Sequence, residues 1–181
     1  NMNDSNKILK KTRKIKILSK NKITQNMLRI TFSHQDLFDF PDNQRGGYVK
    51  FLFKHKHTKA ELVRPYTIRD FRKKKLELDV DFAIHNEKDG YAANWANKAK
   101  VGDEIFISGP GQKKLVDFNC NWFLLIGDMS SLPAISINIE ELAENSKGYA
   151  VIEILSENDK QVISKPENFD IYWVINSDPE K

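Results

Sequence analysis

Two apolar segments flank the hexapeptide Arg64-Pro65-Tyr66-Thr67-Ile68-Arg69. In an extended segment the side chains alternate, so Pro65, Thr67 and Arg69 share one face and the other three residues share the opposite face. Pro65 has no N–H to donate and favours extended geometry in the residue before it, which suits a sheet edge or a barrel rim. Two guanidinium groups, a ring and a hydroxyl could together bind a phosphate and a flat ligand, although a solvated edge strand explains these six residues more simply.

The residues around this hexapeptide predict an antiparallel β-barrel. Strand-like patterns of apolar and polar residues occur in the segments 12–20, 27–32, 48–53 and 76–84. The polar turn at 21–26 favours a hairpin between the first two of these segments. An alanine-rich helix is predicted at 91–99 and a short strand at 105–107. We therefore expect an antiparallel six-stranded β-barrel with one short helix in residues 1–117.

The pattern changes at Cys120, which we expect to be buried at a domain junction. Residues 122–126 are continuously apolar, as in a buried parallel strand. A helix is predicted next, from Leu132 to Asn145, capped by Ser130 or Ser131, and two further strands follow at 150–155 and 171–175. This order predicts an α/β Rossmann-like domain at 118–181 that looks truncated, because a complete nucleotide-binding sheet has about five or six strands.

Composition limits the classes of protein to consider. The chain has 181 residues, of which 40% are hydrophobic and 30% charged, so a soluble globular protein of one or two domains is expected. No apolar run approaches the ~20 residues that span a membrane, and the polar, lysine-rich N-terminus does not resemble a signal peptide. The single cysteine excludes an internal disulfide framework and a multi-cysteine metal site. A cytoplasmic protein without a membrane partner is the simplest expectation.

Charge is distributed unevenly along the chain. Residues 1–30 contain nine Lys and Arg against one Asp, whereas residues 140–181 contain ten Asp and Glu against four Lys. This asymmetry suggests two domains that face different partners. A basic arm could bind nucleic acid, but the stacking aromatic residues of single-strand binders are missing from residues 1–30. A solvated lysine-rich strand face is the better explanation, and no nucleic-acid partner is expected.

The segment from His85 to Trp95 is the second informative stretch. A strand end, a glycine-containing turn and an alanine-rich helix start place backbone N–H groups at 91–94. Small side chains let an anion approach closely, and a helix N-terminus favours negative charge. Alone, this is an ordinary connection between a strand and a helix. Combined with the hexapeptide before the same strand, it favours a phosphate site.

Six motifs follow one another along the chain: 64–69 (RPYTIR), 81–85 (DFAIH), 90–95 (GYAANW), 102–103 (GD), 109–111 (GPG) and 127–135 (GDMSSLPAI). In this order they resemble the siderophore-interacting protein family, which consists of FAD-dependent ferric-siderophore reductases related to ferredoxin reductases. Segments 24–32 and 48–51 also resemble that family, so the resemblance covers nearly the whole chain. It implies an FAD-binding β-barrel domain at 1–117 and a partial NAD(P)-binding domain at 118–181.

The resemblance also implies a set of cofactor-binding residues. They are Arg64, Tyr66, Thr67, Ile68, Arg69, Asp81, Phe82, His85, Ala92, Ala93, Asn94, Trp95, Gly127, Asp128 and Ser130. The ring of Tyr66 would lie against the isoalloxazine, Thr67 would hydrogen-bond near the flavin, and an arginine would bind the pyrophosphate. Asp81, Phe82 and His85 would line the flavin and its nucleotide tail. Ala92, Ala93 and Asn94 would offer backbone N–H groups to the pyrophosphate, and Gly127, Asp128 and the turn at 130–134 would meet the nicotinamide nucleotide.

The chain departs from the family pattern at two places. The family's Gly-Pro-Ala-Ser is replaced by Gly90-Tyr91-Ala92-Ala93, which removes a serine hydroxyl but keeps the backbone donors. The family's Asp-Glu-Thr-Ala is replaced by Asp128-Met129-Ser130-Ser131, which leaves the choice between NADH and NADPH open.

The implied activity transfers electrons from NADPH or NADH through FAD to Fe(III) held by a siderophore, and releases Fe(II). Catecholate and carboxylate siderophores are anionic, so a basic cleft is required. The resemblance places Lys50, Lys113 and Lys114 in this substrate site. The alternative is a flavin- or siderophore-binding module that a ferredoxin reduces or that lacks its own nicotinamide site. A monomer is expected in either case.

Overall fold

The computed structural model describes residues 11–54, 61–84 and 90–179, so the prediction for His85 lies outside the described residues. The first sheet is antiparallel and contains β1 (Thr12–Thr24), β2 (Met27–Ser33), β3 (Tyr48–Lys54), β4 (Glu61–Thr67), β5 (Asp70–Arg72), β6 (Glu77–Ala83) and β7 (Glu104–Gly111). Helix α1 (Tyr91–Lys98) packs against it. We call these elements the barrel lobe.

The second sheet is parallel and contains β8 (Trp122–Gly127), β9 (Lys147–Ile154) and β10 (Phe169–Ile175). Helix α2 (Leu132–Glu140) connects β8 to β9. We call these elements the α/β lobe. The helix ends five residues earlier than predicted, but Ile135, Ile139 and Leu142 are buried, as its predicted apolar face requires.

The first sheet is so strongly curled that a short connection joins its two edge strands, β4 and β5. Its strand order is β4-β3-β7-β1-β2-β6-β5, so the two edge strands are consecutive in sequence and only Ile68 and Arg69 separate them. The N–H of Ile68 donates to the carbonyl of Gly47 beside β3 at 2.8 Å, and the N–H of Arg69 donates to Asp79 on β6 at 2.9 Å. The sheet has seven strands rather than the expected six because the bend at Ile68 and Arg69 divides one extended segment into two strands.

Phenylalanine rings dominate the core of the barrel lobe. Phe32, Phe51 and Phe82 are fully buried on β2, β3 and β6. Trp95 of α1 packs over them, with ring centroids 6.4, 6.2 and 6.5 Å from the three rings. Burying each such side chain contributes about 1.5–3 kcal/mol, so α1 is held by packing rather than by its own helix propensity.

The two faces of the parallel sheet differ in exposure. On the face covered by α2, Ala150, Ile152 and Ile154 are buried with the apolar side chains of the helix. The opposite face carries large side chains that stay exposed, namely Trp122, Leu124, Ile126, Tyr149 and Tyr172. Parallel sheets are usually covered by other elements on both faces, so an exposed face with this many large apolar side chains is unusual.

Contacts between the lobes include the β1–β2 hairpin and the connection after β7. Met27 of β2 is buried in the core of the α/β lobe rather than in the barrel. The side chain of Asn138 on α2 accepts from the N–H of Val116 at 2.8 Å and donates to the carbonyl of Lys114 at 3.2 Å. Cys120 was expected to be buried at this junction but is exposed, because it lies in a surface turn before β8. In the described part of the chain, no helix has the length and hydrophobicity to cross a membrane.

Candidate functional site

A cleft of about 320 Å³ lies between the two lobes. Its lining residues are Gly46, Gly47, Tyr48, Lys50, Pro65, Tyr66, Thr67, Lys114 and Ala134. They provide two phenol rings, a hydroxyl and two ammonium groups around a floor of small residues. The volume falls at the lower end of small-molecule sites, which run from about 300 to 1,000 Å³. Three residues of the hexapeptide therefore line a cavity of suitable size.

Tyr66 is fixed in the cleft wall by packing behind it. The register pairs Tyr66 with Val49, so its ring points to the same side as the buried residues of β3. Its ring centroid is 4.4 Å from that of Phe82 and 5.7 Å from that of Phe51. The ring remains only half-buried and lines the cleft, so a flat ligand could lie against an already immobilised surface.

Helix α1 packs on the same two phenylalanine rings through Trp95, its fifth residue. Trp95 contacts Phe51 and Phe82, so α1 and the hexapeptide share one aromatic cluster, whereas Tyr91 at the helix start contacts Phe53. Ala92 and Ala93 are buried, and a Cβ added at Gly90 would meet no atom within 4 Å. As in every α-helix, the N–H groups of the first turn have no partners within the helix.

Arg64 is placed at the same end of the barrel. It pairs with Phe51 in the register, and it lies two residues before Tyr66 on the same face of β4. Its side chain is exposed, and Nη1 donates to the carbonyl of Val63 at 3.0 Å. Among the described residues this carbonyl is the acceptor of the exposed guanidinium, which can turn toward an anion at little cost.

Several predicted cofactor ligands have other partners in the structure. Arg69 donates two hydrogen bonds to Glu140 of α2, at 2.6 and 3.1 Å. Asp81 accepts two from Arg29, at 2.7 and 2.8 Å, and the hydrogen bond to Asp81 raises the pKa of Arg29. Ile68 is fully buried in the barrel core. The placement of these residues argues against direct contacts with a cofactor, because their side chains are already engaged within the protein.

Phe82 also differs in position from the expectation. It is fully buried, so it supports the ring of Tyr66 from behind instead of lining the cleft itself.

The three predicted substrate lysines are not equivalent. Lys50 lines the cleft between the lobes and also an adjoining cavity of about 160 Å³ that extends to residues 108–111. The ammonium of Lys114 lies 5.8 Å from the ring centroid of Tyr48, within the range of a cation–π contact. Lys113 instead donates to the side chain of Asn43 at 3.1 Å and does not line either cavity.

Tyr48 is a cleft residue that the sequence analysis did not identify as part of the site. A Cβ at Gly111 would lie 2.0 Å from the ring of Tyr48, so only glycine permits this approach. Gly46 and Gly47, directly before Tyr48, are buried and line the same cleft. A glycine pair directly before an aromatic strand start was the available signal, since glycines mark places where other groups approach the backbone closely.

Asp128 and Ser130 occupy the carboxyl edge of the parallel sheet, where open α/β sheets bind their ligands. The Asp128 carboxylate accepts from the Ser130 N–H and Oγ at 2.9 and 2.6 Å, and from the Ser131 N–H at 3.1 Å. Burial alone would raise the pKa of Asp128, but these hydrogen bonds outweigh it and lower the pKa. Asp128, Ser130, Glu153 and Asn176 line a separate cavity of about 130 Å³. Residue 127, directly before this turn, is a glycine, because a Cβ there would lie 2.1 Å from Ser131 Oγ.

Comparison with known proteins matches both halves of the chain to one family. Residues 16–63 and 57–114 match the siderophore-interacting FAD-binding domain, and residues 120–181 match the siderophore-interacting protein domain. The ferric vibriobactin reductase ViuB of Vibrio cholerae is 31% identical over 180 residues, which cover 90% of this chain and 66% of that protein. The chain thus spans slightly less than two thirds of the length of this curated relative.

Other relatives agree with this match. The NADPH-dependent ferric-chelate reductase of Escherichia coli is 29% identical over 101 residues, 54% of this chain and 39% of that protein. The crystal structure of the siderophore-interacting protein SipS from Aeromonas hydrophila superposes with a TM-score of 0.80 at 28% identity, over 95% of this chain and 75% of that one. Ferredoxin-NADP+ reductase from Plasmodium falciparum shares the fold, with a TM-score of 0.62 at 17% identity over 94% of this chain and 77% of that one. The curled antiparallel sheet, the parallel sheet behind it and the matches along both lobes together show that the chain belongs to the siderophore-interacting protein family.

Proposed function

We propose that this chain binds FAD in the cleft between its lobes and passes electrons from NADPH or NADH to siderophore-bound Fe(III). The observation that carries the proposal is the convergence of Tyr66, Thr67 and Lys50 on one cleft. The family's FAD-binding domain and the similarity to two ferric reductases support it.

The residues of the cleft fit a flavin in their chemistry. The half-buried ring of Tyr66 offers a flat wall, and the hydroxyl of Thr67 can donate to or accept from the polar edge of a heteroaromatic ring. The floor of the cleft at Gly47 consists of backbone atoms. A side chain does not fit there, because a Cβ at Gly47 would lie 3.0 Å from the carbonyl oxygen of Gly111. A bound flavin supplies both two-electron and one-electron chemistry, which the protein orients and shields.

Different residues bind the two ends of the cofactor. Tyr66 and Thr67 hold the ring and exclude water from one side. Arg64 and the first backbone N–H groups of α1, at Ala92 and Ala93, bind the pyrophosphate. Asn94 and Trp95 complete that helix turn, while Phe82 and the ion pair of Arg69 keep the cleft wall in place.

The substrate is an anionic ferric siderophore that approaches the exposed side of the cleft. Lys50 and Lys114 supply positive charge there, whereas Lys113 lies outside the cleft and donates to Asn43. Reduction to Fe(II) weakens the binding of hard oxygen ligands and releases the metal.

The nicotinamide nucleotide is proposed to bind at the carboxyl edge of the parallel sheet. Gly127 permits a tight turn there, and Ser130 offers a hydroxyl beside the cavity. The turn that Asp128 organises lies directly before α2, whose residue Ala134 lines the flavin cleft. This continuity of chain would bring the two cofactor sites together.

We infer a domain boundary between residues 117 and 118, since the first sheet ends at Gly111 and the second begins at Trp122. If the bent β4–β5 segment is counted as one strand, the first domain is a six-stranded barrel. We further propose a monomeric, cytoplasmic protein without nucleic-acid or membrane partners.

Purification followed by a visible spectrum tests the cofactor, and anaerobic titration with NADH and NADPH tests the donor. A yellow protein that either nucleotide bleaches, and that a ferric catecholate then reoxidises, is the expected result. A colourless protein that takes up no added FAD would refute the flavin site. A yellow protein that neither nucleotide bleaches would point to the alternative, a flavin module reduced by a ferredoxin.

A further inference from the structure

Asp159 of the α/β lobe is a fully buried carboxylate. It lies at the end of a short 3-10 turn, Glu157–Asp159, that follows β9 in the α/β lobe. Its Oδ1 accepts from the hydroxyl of Thr24 at 3.0 Å and from the N–H of Asn26 at 2.7 Å, and its Oδ2 accepts from Nδ2 of Asn26 at 2.7 Å. These donors all belong to the tip of the β1–β2 hairpin in the barrel lobe.

The surrounding residues strengthen the same contact. Ser156 donates to Oδ2 of Asp159 at 3.1 Å, and the carboxamide oxygen of Gln25 accepts from Asn158 at 3.1 Å. Met27, next along the hairpin, is buried in the α/β core. Burial alone would raise the pKa of Asp159, but hydrogen bonds from Asn26, Thr24 and Ser156 lower it, so the group is a carboxylate at neutral pH.

The hairpin tip also contacts the strand that leads to α1. The carbonyl of Asn26 accepts from the N–H of Ile84 at 2.8 Å, and Met27 pairs with Ala83 of β6. Asn26 therefore joins the α/β lobe, through Asp159, to the end of the strand that precedes the proposed pyrophosphate site. The ion pair of Arg69 with Glu140 is a second fastening between the lobes, on a different part of the barrel.

We propose that Asp159 is a positioning residue that sets the α/β lobe against the barrel and thereby the approach of the nicotinamide nucleotide to the flavin. This inference rests on the proposed function. Hydride transfer requires the reacting atoms to lie about 3–3.5 Å apart, so a small displacement between lobes slows it strongly. Flavin binding depends chiefly on residues of the barrel lobe and is much less sensitive to Asp159.

The hydrogen-bond pattern gives a sharp substitution test. The backbone N–H and Nδ2 of Asn26 can only donate, and they bond to different oxygens of Asp159. Asp159→Asn must therefore place its own NH₂ against one of them. Adding Asn26→Asp restores an acceptor opposite that NH₂, so the double variant rebuilds the contact with donor and acceptor exchanged. Thr24→Val removes one hydrogen bond, and Asp170→Asn on exposed β10 is the matched control.

The experiment measures anaerobic flavin reduction by saturating NADH or NADPH in the FAD-loaded protein, alongside amide hydrogen exchange. Asp159→Asn is expected to slow reduction at least tenfold, with FAD affinity and reoxidation by ferric substrate within twofold of the parent protein. Thr24→Val should give an intermediate rate, the double variant should recover most of it, and Asp170→Asn should match the parent. Exchange should increase at 24–28 and 156–160 in Asp159→Asn, to a smaller extent in Thr24→Val, and not in Asp170→Asn.

Other outcomes are equally decisive. Parent-like reduction by Asp159→Asn would overturn the inference. If that variant does not fold, Thr24→Val carries the test, and an unchanged rate in it would overturn the inference as well. If neither nucleotide reduces even the parent protein, the proposed donor is wrong, and the exchange data alone decide whether Asp159 fastens the lobes. Unchanged protection at 24–28 would then refute the fastening.

Discussion

Arg69 of the hexapeptide forms a two-point ion pair with Glu140 at the end of α2, with its Nη1 and Nη2 3.1 and 2.6 Å from the carboxylate oxygens. Both side chains are mostly buried, and Arg45 also contacts Glu140. A residue expected to bind a phosphate thus joins the barrel lobe to the α/β lobe. The cleft wall and the domain contact share one short segment, because Thr67 lines the cleft two residues before Arg69.

Removing this carboxylate should weaken the junction between the lobes. Glu140→Gln removes the nearest carboxylate from Arg69 and Arg45, and we expect a loss of about 2–4 kcal/mol in the free energy of unfolding, near the ~3–5 kcal/mol typical of a broken buried pair. Urea unfolding measures the loss. Glu141→Gln is the matched control, since Glu141 makes only a longer, more exposed contact with Arg45 and should change stability by less than about 1 kcal/mol. Equal effects of both substitutions would contradict this assignment.

Asp79 should make stability depend on acid pH. Burial alone would raise the pKa of Asp79, but hydrogen bonds from Arg72 and Thr31 lower it. A carboxyl whose pKa is lower in the folded state stabilises above its unfolded pKa of about 3.9, and this stabilisation is lost as the pH falls through the folded pKa. At pH 6–7 the parent protein should therefore have a larger free energy of unfolding than Asp79→Asn. This difference between the two proteins should shrink below about pH 4. A gap that stays constant across urea titrations from pH 3 to 7 would rule this out.

The ring of Tyr66 should be needed for flavin retention. Tyr66→Ala removes the wall of the cleft, and we expect at least a tenfold weaker FAD affinity, which corresponds to about 1.4 kcal/mol. Tyr66→Phe keeps the ring and its packing on Phe82, so it should stay within a few-fold of the parent. Gel filtration followed by flavin absorbance reads the occupancy. Full occupancy in Tyr66→Ala would show that the cleft does not hold the isoalloxazine.

Substitution of Arg64 tests the proposed binding of the FAD pyrophosphate. Arg64→Ala should weaken FAD more than riboflavin, because only FAD carries the pyrophosphate. Fluorescence titration with both ligands separates the two effects. An equal loss for both, or no loss for either, would place the pyrophosphate elsewhere.

Lys50 should control the affinity for an anionic ferric substrate. Lys50→Gln removes positive charge where two cavities meet, so we expect KM for a ferric catecholate to rise several-fold and its dependence on salt to decrease. Flavin reduction by the nucleotide should be unchanged. Lys113→Gln is the natural comparison, since Lys113 lies outside both cavities and pairs with Asn43. A larger effect at Lys113 than at Lys50 would reverse the assignment of the substrate site.

Local patterns in the chain were sufficient for much of the architecture. Alternation placed most of the strands, the alanine-rich segment gave α1, and the continuous apolar run at 122–126 marked the parallel sheet. Such features depend on neighbours within a few residues, so periodicity and helix-start chemistry report them directly.

Side-chain partnerships across the fold were beyond the reach of those patterns. Arg69 and Glu140 are 71 residues apart in sequence, and Thr24 and Asp159 are 135 apart. An arginine in an edge strand has the same local signature whether it binds a phosphate or a glutamate on a distant helix. Only closure of the curled sheet and docking of the parallel sheet decide between them, because ion pairs and buried hydrogen bonds depend on distance in space. Four residues of the cleft, Lys50, Tyr66, Thr67 and Lys114, could thus be named from the chain, whereas packing decided which of the predicted site residues remain available to a ligand.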